Sequence, residues 1–300
     1  MARFICIDIG GTSIKYGVYE DDTRRFVNHD STPTQATFGG PHIVETVRGI
    51  IQDLRRQSLD VQGICISTAG MVDVEAGCVR YASELIPQYT GTAWKALLEE
   101  ETGLPCEVEN DVNCAGLAEY HAGSAKGASS ALCLTVGTGI GGAYIEHGRV
   151  LRGASGSACE VGYLHLPQGD FQDLASTSAL VKRVSGPVST NAGATLSGRI
   201  IFERAQSGDL QCARAIDEMC DWLGMGIADI CYVLNPEVVV LGGGIMAQQD
   251  YMYGRMRKSL DAHLRAPIAA ATTLRFAFNQ NRAGMLGAYY HFLDMQRNRS

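Results

Sequence analysis

The sequence lacks the long hydrophobic runs and the cysteine motifs that mark several protein classes. No run of 18 apolar residues occurs, and the short apolar stretch near the N-terminus is interrupted by Asp8, which argues against a membrane span or a signal peptide. The ten cysteines form no C-x-C or C-x-x-C pair, so neither zinc-ligand spacing nor a disulfide scaffold is present. We therefore expect a cytoplasmic protein with reduced, buried cysteines, no structural zinc and no membrane partner.

Positive charge is also scarce. Lysine and arginine total 25 against 32 acidic residues, a net charge of −7, which argues against a nucleic-acid partner. Glycine is the residue in excess: the chain has 35 glycines in 300 residues, above the usual share of about 7%. Because these glycines follow no collagen-like period and form no linker, their individual positions carry the information.

Apolar strands and amphipathic helices alternate along the chain, which indicates an α/β fold. The predicted strands cover residues 3–9, 14–19, 23–32, 61–67, 106–109, 131–136, 143–146, 238–241 and 274–278. The predicted helices cover residues 43–54, 94–101, 112–121, 174–184, 200–205, 212–234 and 286–295. A domain boundary is expected near residues 109–111.

Two segments, residues 5–20 and 132–148, share one pattern: an apolar strand, a Gly/Thr turn and a second apolar strand. Such a turn lets backbone N–H groups approach an anion without interference from a Cβ atom. An ordinary tight hairpin would explain either turn alone. The occurrence of two matching turns favours phosphate binding and suggests two related domains that face each other across a cleft.

Charged residues beside the first turn fit the same interpretation. Asp8 precedes the turn and could hold Mg²⁺ through water, because this ion keeps several of its waters. Lys15 could offset phosphate charge. A third glycine cluster ends the apolar run at residues 238–244. It could form a wall beside an adenine, or simply allow close packing of the following helix.

Two other nucleotide motifs fit poorly. Residues 137–142 satisfy G-x-G-x-x-G, but a dinucleotide fold requires a helix after this motif, and strand-forming residues follow here. No G-K-[ST] follows a glycine loop, so the Walker pattern is absent.

Acidic residues open the helix predicted after residue 111. Asp111 could accept a proton from a substrate hydroxyl that Asn110 orients, as phosphoryl transfer to an alcohol requires. Simple helix capping is the alternative role for both side chains. Glu160 follows a glycine-rich stretch and could bind further hydroxyls.

Five motifs together resemble the ROK family of sugar kinases and repressors, and their order and spacing cover nearly the whole chain. They are DIGGTSIKYG (8–17), STAGMVD (67–73), ENDVNCAGLAE (109–119), VGTGIGGAYIEHGRVLRG (136–153) and GGG (242–244). The resemblance implies the two-domain actin/hexokinase-like, ribonuclease H-like ATPase fold with an interdomain cleft. Its domains would be residues 1–110, completed by the helix at 286–300, and residues 111–285.

The resemblance also implies an ATP-dependent kinase that phosphorylates a hexose or hexoside, with the 6-hydroxyl as acceptor and a homodimer as the assembly. On the sugar side, Asp111 takes the position of the catalytic base, Asn110 and Glu160 those of sugar ligands, and Gly70 that of a sugar-side turn. Asp8 would position Mg·ATP. The remaining ATP contacts would be Gly10, Gly11 and Thr12, the opposing turn at Thr138 and Gly139, and the nucleoside flank at Gly243 and Gly244.

The sequence departs from the family pattern on the sugar side. Tyr163 replaces the histidine of G-E-x-G-H, and the C-x-C-G-x-x-G-C zinc segment is missing. Gln172 stands where a second sugar-binding glutamate is usual. The resemblance therefore implies no zinc and an altered sugar pocket that could accept β-glucosides or other hexoses. Tyr163 could stack on a sugar ring or be a packed aromatic residue.

Three alternatives remain open at this stage. A sugar-responsive transcriptional regulator of the same family would carry a DNA-binding domain ahead of the first strand, which is predicted to start at Arg3. An N-acetylmannosamine kinase would differ only in its sugar. A nicotinamide oxidoreductase would depend on the G-x-G-x-x-G match.

Overall fold

The computed structural model describes residues 2–57, 60–186 and 196–299. The chain forms two compact units. Unit 1 contains residues 1–122, 152–158 and 281–300, and unit 2 contains residues 123–151 and 159–280. Residues 111–122 and 152–158 thus belong to unit 1, whereas the sequence division placed them in the second domain. The functional domain boundaries remain a prediction.

Unit 1 is built on a five-stranded mixed sheet with the order β3-β2-β1-β4-β7. Its elements are β1 (Arg3–Ile9), β2 (Ser13–Glu20), β3 (Arg25–Pro33), α1 (Gly39–Gln57), β4 (Val61–Thr68), β5 (Met71–Asp73), β6 (Cys78–Tyr81), α2 (Trp94–Thr102), β7 (Cys106–Asn110) and α3 (Asp111–Ala122). The last helix of the chain, Ala283–Arg299, completes this unit. Strands β1 to β3 are antiparallel, and β4 and β7 extend the sheet in parallel to β1.

The alternation of side chains along β1 explains why both faces of this sheet are covered. Ile5, Ile7 and Ile9 belong to a core shared with the apolar side of α1, whereas Phe4 and Cys6 pack with residues of the last helix. Successive strand residues point to opposite faces, so a strand with apolar residues on both faces must be covered on both.

Unit 2 contains a second five-stranded sheet with the order β10-β9-β8-β13-β14. The strands of unit 2 are β8 (Ser130–Val136), β9 (Ile140–Glu146), β10 (Arg149–Val150), β11 (His165–Leu166), β12 (Gly169–Asp170), β13 (Val238–Gly242) and β14 (Thr273–Phe276). Strands β11 and β12 form a separate two-stranded sheet. The helices of unit 2 are α4 (Phe171–Ala175), α5 (Thr177–Ser185), α6 (Gly198–Gln206), α7 (Leu210–Leu234), α8 (Gln249–His263) and α9 (Ala266–Ala271). The last helix of the chain, Ala283–Arg299 in unit 1, is named α10. The core centres on α7, which runs against the sheet and α8.

The two sheets share one topology: an antiparallel three-strand meander whose first strand is extended by two parallel strands. The predicted repeat of strand, Gly/Thr turn and strand is confirmed as the hairpins β1–β2 and β8–β9. A strand, not a helix, begins within the G-x-G-x-x-G segment at Ile140 and continues beyond it, as the strand-forming residues there predict.

Several predicted elements were wrong in extent. The single helix expected over residues 174–184 is two helices, because Ser176 is extended and caps α5 through its Oγ. The strand expected to reach Phe278 ends at Phe276. Strand β9 begins at Ile140, three residues earlier than predicted, because the glycine at 142 lies inside the strand. The helices α8 and α9 were not predicted.

Candidate functional site

Asp8 lies at the end of β1, nearly buried, between two polar neighbours that the sheet register places beside it. Ser67 on β4 donates to Asp8 Oδ1 at 2.7 Å, and Lys15 Nζ on β2 lies 3.4 Å from Oδ2. Gly284 of α10 lies so close that a Cβ atom there would be 2.3 Å from Asp8 Cγ. The carboxylate is therefore held in one orientation by groups from three elements.

The first Gly/Thr turn has its carbonyl groups fixed by one buried threonine. Thr34 Oγ1 donates to Gly10 O at 2.6 Å, and Thr34 N donates to Thr12 O at 3.0 Å. The Gly10 carbonyl and the Gly11 N–H belong to one planar trans peptide, in which the two groups point in opposite directions. Since Gly10 O points towards Thr34, the N–H of Gly11 points away from it. Gly11 and Thr12 are exposed. The turn thus offers an N–H at its open side, as an anion ligand would need.

Asn110 and Asp111 form the start of α3 at the carboxyl end of β7. Asn110 Oδ1 accepts from the N–H groups of Val112 (2.9 Å) and Asn113 (3.1 Å), which makes it the cap of the helix. Its Nδ2 donates to Gly70 O (2.9 Å) and Asp111 Oδ1 (3.1 Å). The capping alternative is therefore correct for Asn110, and the same side chain also orients the Asp111 carboxylate.

Gly70 occupies a position that suits only glycine. Its φ is +99°, and a Cβ atom there would lie 2.6 Å from Tyr81 O on β6. The turn after β4 can therefore approach the β5–β6 hairpin and present its carbonyl to Asn110. The predicted residues Gly70, Asn110 and Asp111 are thus brought together within unit 1.

A buried charged cluster lies behind Asn110. Burial opposes ionisation of Glu109, but His291 and Arg152 beside it, with donors from Asn110 and Asn113, hold the pKa of this carboxyl below its usual value. Burial lowers the pKa of His291, against the opposing effect of the Glu109 charge. Sequence reasoning missed Arg152 and His291, because they approach Glu109 from distant parts of the chain.

The second Gly/Thr turn, in unit 2, borders a pocket of about 830 Å³. Thr138 and Gly244, both predicted ATP ligands, line this one pocket. Thr177 N at the start of α5 donates to Gly137 O at 2.9 Å, which ties the turn to a helix N-terminus. The other lining residues, which the sequence did not point to, include Ser178, Val181, Lys182, Arg199, Phe202 and Gln248.

Gly243 gives the chain its turn out of β13. Its φ is +108°, and a Cβ atom would lie 2.1 Å from Val136 O at the end of β8. Gly244 has open space around it and faces the pocket. Gly243 therefore packs closely, but against β8 and not against the following helix, whereas Gly244 lines the pocket.

Gln172 of α4 lies between two turns of unit 2. Cβ atoms at Gly139 and Gly162 would lie 2.7 and 3.0 Å from Gln172 Oε1. Gln172 therefore connects the second Gly/Thr turn to the segment that carries Glu160 and Tyr163. Tyr163 is 61% exposed, so the packed-aromatic alternative is wrong.

Glu160 itself is exposed at the surface of unit 2, but the surrounding protein partly desolvates its carboxyl. This burial raises the pKa of Glu160 above its usual value. A carboxyl of this kind can exchange hydrogen bonds with sugar hydroxyls at either protonation state.

The described residues contain no group of three or more His, Cys, Asp or Glu side chains able to hold a metal ion. None of the ten cysteines forms a disulfide bond, and eight of them are buried. Within the same residues, no helix has the length and apolarity needed to cross a membrane.

The chain is similar to known proteins along nearly its whole length. A family model described as the ROK family matches residues 4–295. An uncharacterized protein of Clostridium perfringens is 47% identical over 294 residues, covering 98% of this chain and 99% of that protein. A beta-glucoside kinase of Klebsiella pneumoniae is 30% identical over 314 residues, covering 98% and 97%.

Among solved structures, a ROK family glucokinase from Streptomyces griseus in complex with glucose and AMPPNP matches with a TM-score of 0.81. The identity is 27%, and the match covers 95% of this chain and 97% of the other. The predicted α/β, two-domain actin/hexokinase-like fold is confirmed.

Proposed function

The chain belongs to the ROK family and is a sugar kinase, and we propose that it transfers the γ-phosphoryl group of ATP to the 6-hydroxyl of a hexose or hexoside, with Asp111 as the base. The observation that carries this proposal is the start of α3. There, Asn110 is fixed by hydrogen bonds to Gly70 and to the helix, and it orients the Asp111 carboxylate.

In this proposal Asp111 accepts the proton of the attacking hydroxyl while Asn110 and Gly70 lie on the sugar side. A positioned carboxylate typically contributes about 10²- to 10⁴-fold to the rate of such a transfer. Glu160, Tyr163 and Gln172 complete the sugar contacts. The altered residues at positions 163 and 172 support a hexoside or a modified hexose as substrate, in line with the similarity to a beta-glucoside kinase.

On the ATP side, we assign the pocket of unit 2 to the nucleoside, flanked by Gly243 and Gly244. Thr138 and Gly139 would meet the phosphates there, and the N-terminus of α5 adds a favourable dipole for an anion. In unit 1, the turn at Gly10, Gly11 and Thr12 would offer the Gly11 N–H, since Gly10 N already donates to Ser13 O, and Lys15 would supply positive charge.

Asp8 is our candidate for the Mg²⁺ position. One nearly buried carboxylate with a neighbouring hydroxyl, that of Ser67, suits an ion that keeps most of its waters. When bound, Mg²⁺ would neutralise charge on the phosphates. We further propose a homodimer, as the family resemblance implies, which sedimentation equilibrium would test.

The decisive experiment measures ADP release with Mg·ATP against hexoses, amino sugars, N-acetylmannosamine and β-glucosides. We expect release with at least one of them and none with its 6-deoxy analogue. The Asp111→Asn variant should lose about 10²- to 10⁴-fold in kcat while binding sugar and ATP. Asp53→Asn, a change of an exposed carboxylate on α1, is the matched control and should keep kcat. Near-normal turnover by Asp111→Asn would contradict the assignment of the base.

A further inference from the structure

Glu109 is a carboxylate with 1% exposure that directly precedes the proposed sugar and base residues. An ionised group in such a place requires a partner, because burial without one is very costly. Arg152 supplies it with two hydrogen bonds to Glu109 Oε2, from Nη2 at 2.6 Å and from Nε at 3.1 Å. His291 Nδ1 lies 3.7 Å from the same oxygen.

The other carboxylate oxygen of Glu109 reaches the proposed active residues. Its Oε1 accepts from Asn110 N at 2.8 Å and from Asn113 Nδ2 at 3.1 Å. Asn110 in turn donates to Asp111 Oδ1. An unbroken series of hydrogen bonds therefore runs from the Arg152 guanidinium to the carboxylate proposed as the base.

Arg152 belongs to a segment, residues 152–158, that is fixed on unit 1 by two further contacts. Arg80 Nη1 donates to Ser155 O at 3.1 Å. Gly156, with φ +79°, approaches so closely that a Cβ atom would lie 3.1 Å from Val72 O of the β5–β6 hairpin. Two residues after this segment the chain reaches Glu160, a proposed sugar ligand.

We propose that Arg152 and Glu109 are positioning residues, which set Asn110 and Asp111 in their reactive geometry and anchor the segment that leads to Glu160. The inference rests on the proposed function, because it assigns Asp111 as the base. Neither side chain touches the reacting atoms in this proposal. Their effect reaches the reaction through the hydrogen bonds of Glu109 to the start of α3.

The test compares three variants: Arg152→Ala, Arg152→Lys and the control Arg3→Ala. Arg3 is a matched residue, since it forms the same two-bond contact with Glu20 in unit 1, at 3.0 and 2.8 Å, away from the candidate site. A displacement of about 1 Å at a reacting group can cost about 10²-fold in rate. We expect Arg152→Ala to lose about 10²-fold in kcat with the KM for ATP within about twofold of wild type.

Two further readouts separate positioning from stability. Added guanidinium ion should restore part of the kcat of Arg152→Ala, because it can occupy the space beside Glu109, and should leave Arg3→Ala unchanged. Arg152→Lys keeps the charge without the paired hydrogen bonds and should lose about tenfold in kcat. If Arg152→Ala does not fold, the kcat of the folded Lys variant decides the question.

Wild-type kcat for both Arg152 variants, measured per folded molecule, would overturn the inference. So would a loss of kcat in Arg3→Ala equal to that in Arg152→Ala, because the effect would then reflect stability alone. The proposed function fails separately, by an active Asp111→Asn variant or by a sugar panel without ADP release.

Discussion

Gly284 shows how a single hydrogen at Cα can decide the geometry of a site. A methyl group there would lie 2.3 Å from the Asp8 carboxyl carbon and its Oδ1, so Asp8 would have to move. We expect Gly284→Ala to lower kcat by about 10²-fold, since a shift of about 1 Å can have this effect, and to raise the Mg²⁺ concentration required. Activity measured against Mg²⁺ concentration checks both.

The control is Gly49→Ala in α1, another helical glycine of unit 1. Apart from its chain neighbours and the nearby backbone of its own helix, no described atom lies within 4 Å of a Cβ at this position. Replacing a helical glycine with alanine stabilises by up to about 1 kcal/mol, so this variant should unfold at a higher temperature with unchanged kcat. An active Gly284→Ala enzyme would show that Asp8 need not keep its position.

The candidate site residues that could be predicted from the sequence are those within local motifs. Asp8 stands beside a Gly/Thr turn, and Asn110 and Asp111 stand where a strand becomes a helix, so spacing and chemistry identified them. Arg152, His291 and Gly284 have no such local signal. Their significance depends on contacts with residues far away in the chain, which only the assembled sheet and α10 create.

At the scale of elements, the break between α4 and α5 is the feature that shapes the pocket. Ser176 Oγ accepts from Ala179 N at 3.1 Å, and the following N–H, that of Thr177, donates to Gly137 O. Loss of a serine cap costs about 1 kcal/mol. We expect Ser176→Ala to raise the KM for ATP several-fold with little change in the KM for sugar, as steady-state kinetics would show.

Ser197→Ala provides the comparison for this helix cap. Ser197 caps α6 with a longer hydrogen bond to Ile200 N, 3.4 Å, and is also a pocket residue. We expect the smaller effect on the KM for ATP from this variant. Equal effects would mean that the contact between α5 and the turn at Gly137 adds nothing to nucleotide binding.

Hydrophobic periodicity explains which elements the sequence could predict. The buried strands and α7 have long apolar patterns, so their positions were predicted closely. The break at Ser176 was missed because apolar residues continue at helical spacing on both sides of it. Helix α8 was missed because its buried face consists of two methionines, a serine and a leucine, which is a weak apolar pattern.

At the scale of the whole molecule, the shared strand order of the two sheets was predictable in outline, because each half carries its own Gly/Thr hairpin. The route of the chain was not. Residues 152–158 leave unit 2 for unit 1, and α10 returns to unit 1 from the end of the chain. These crossings bring together Arg152, Glu109 and His291, so the stability of unit 1 depends on distant segments.

That cluster should make the stability of the protein sensitive to acid. Burial lowers the pKa of His291 in the folded protein, whereas a histidine in the unfolded chain has a pKa of about 6.5. Below that pH the unfolded chain binds a proton that the folded chain does not, so stability falls as pH falls, by at most about 1.4 kcal/mol per pH unit for this group. The lowered pKa of Glu109 adds a second loss as the pH falls below about 4.3.

The His291→Gln variant isolates the first of these effects, because glutamine does not titrate. Its thermal unfolding midpoint should be lower than that of wild type at neutral pH but should change less between about pH 7 and pH 5.5, where the histidine accounts for the slope. His29→Gln, at an exposed position, should keep the wild-type slope. The same slope in wild type and His291→Gln would show that the buried histidine does not set the acid sensitivity, and that other groups that titrate in this range do.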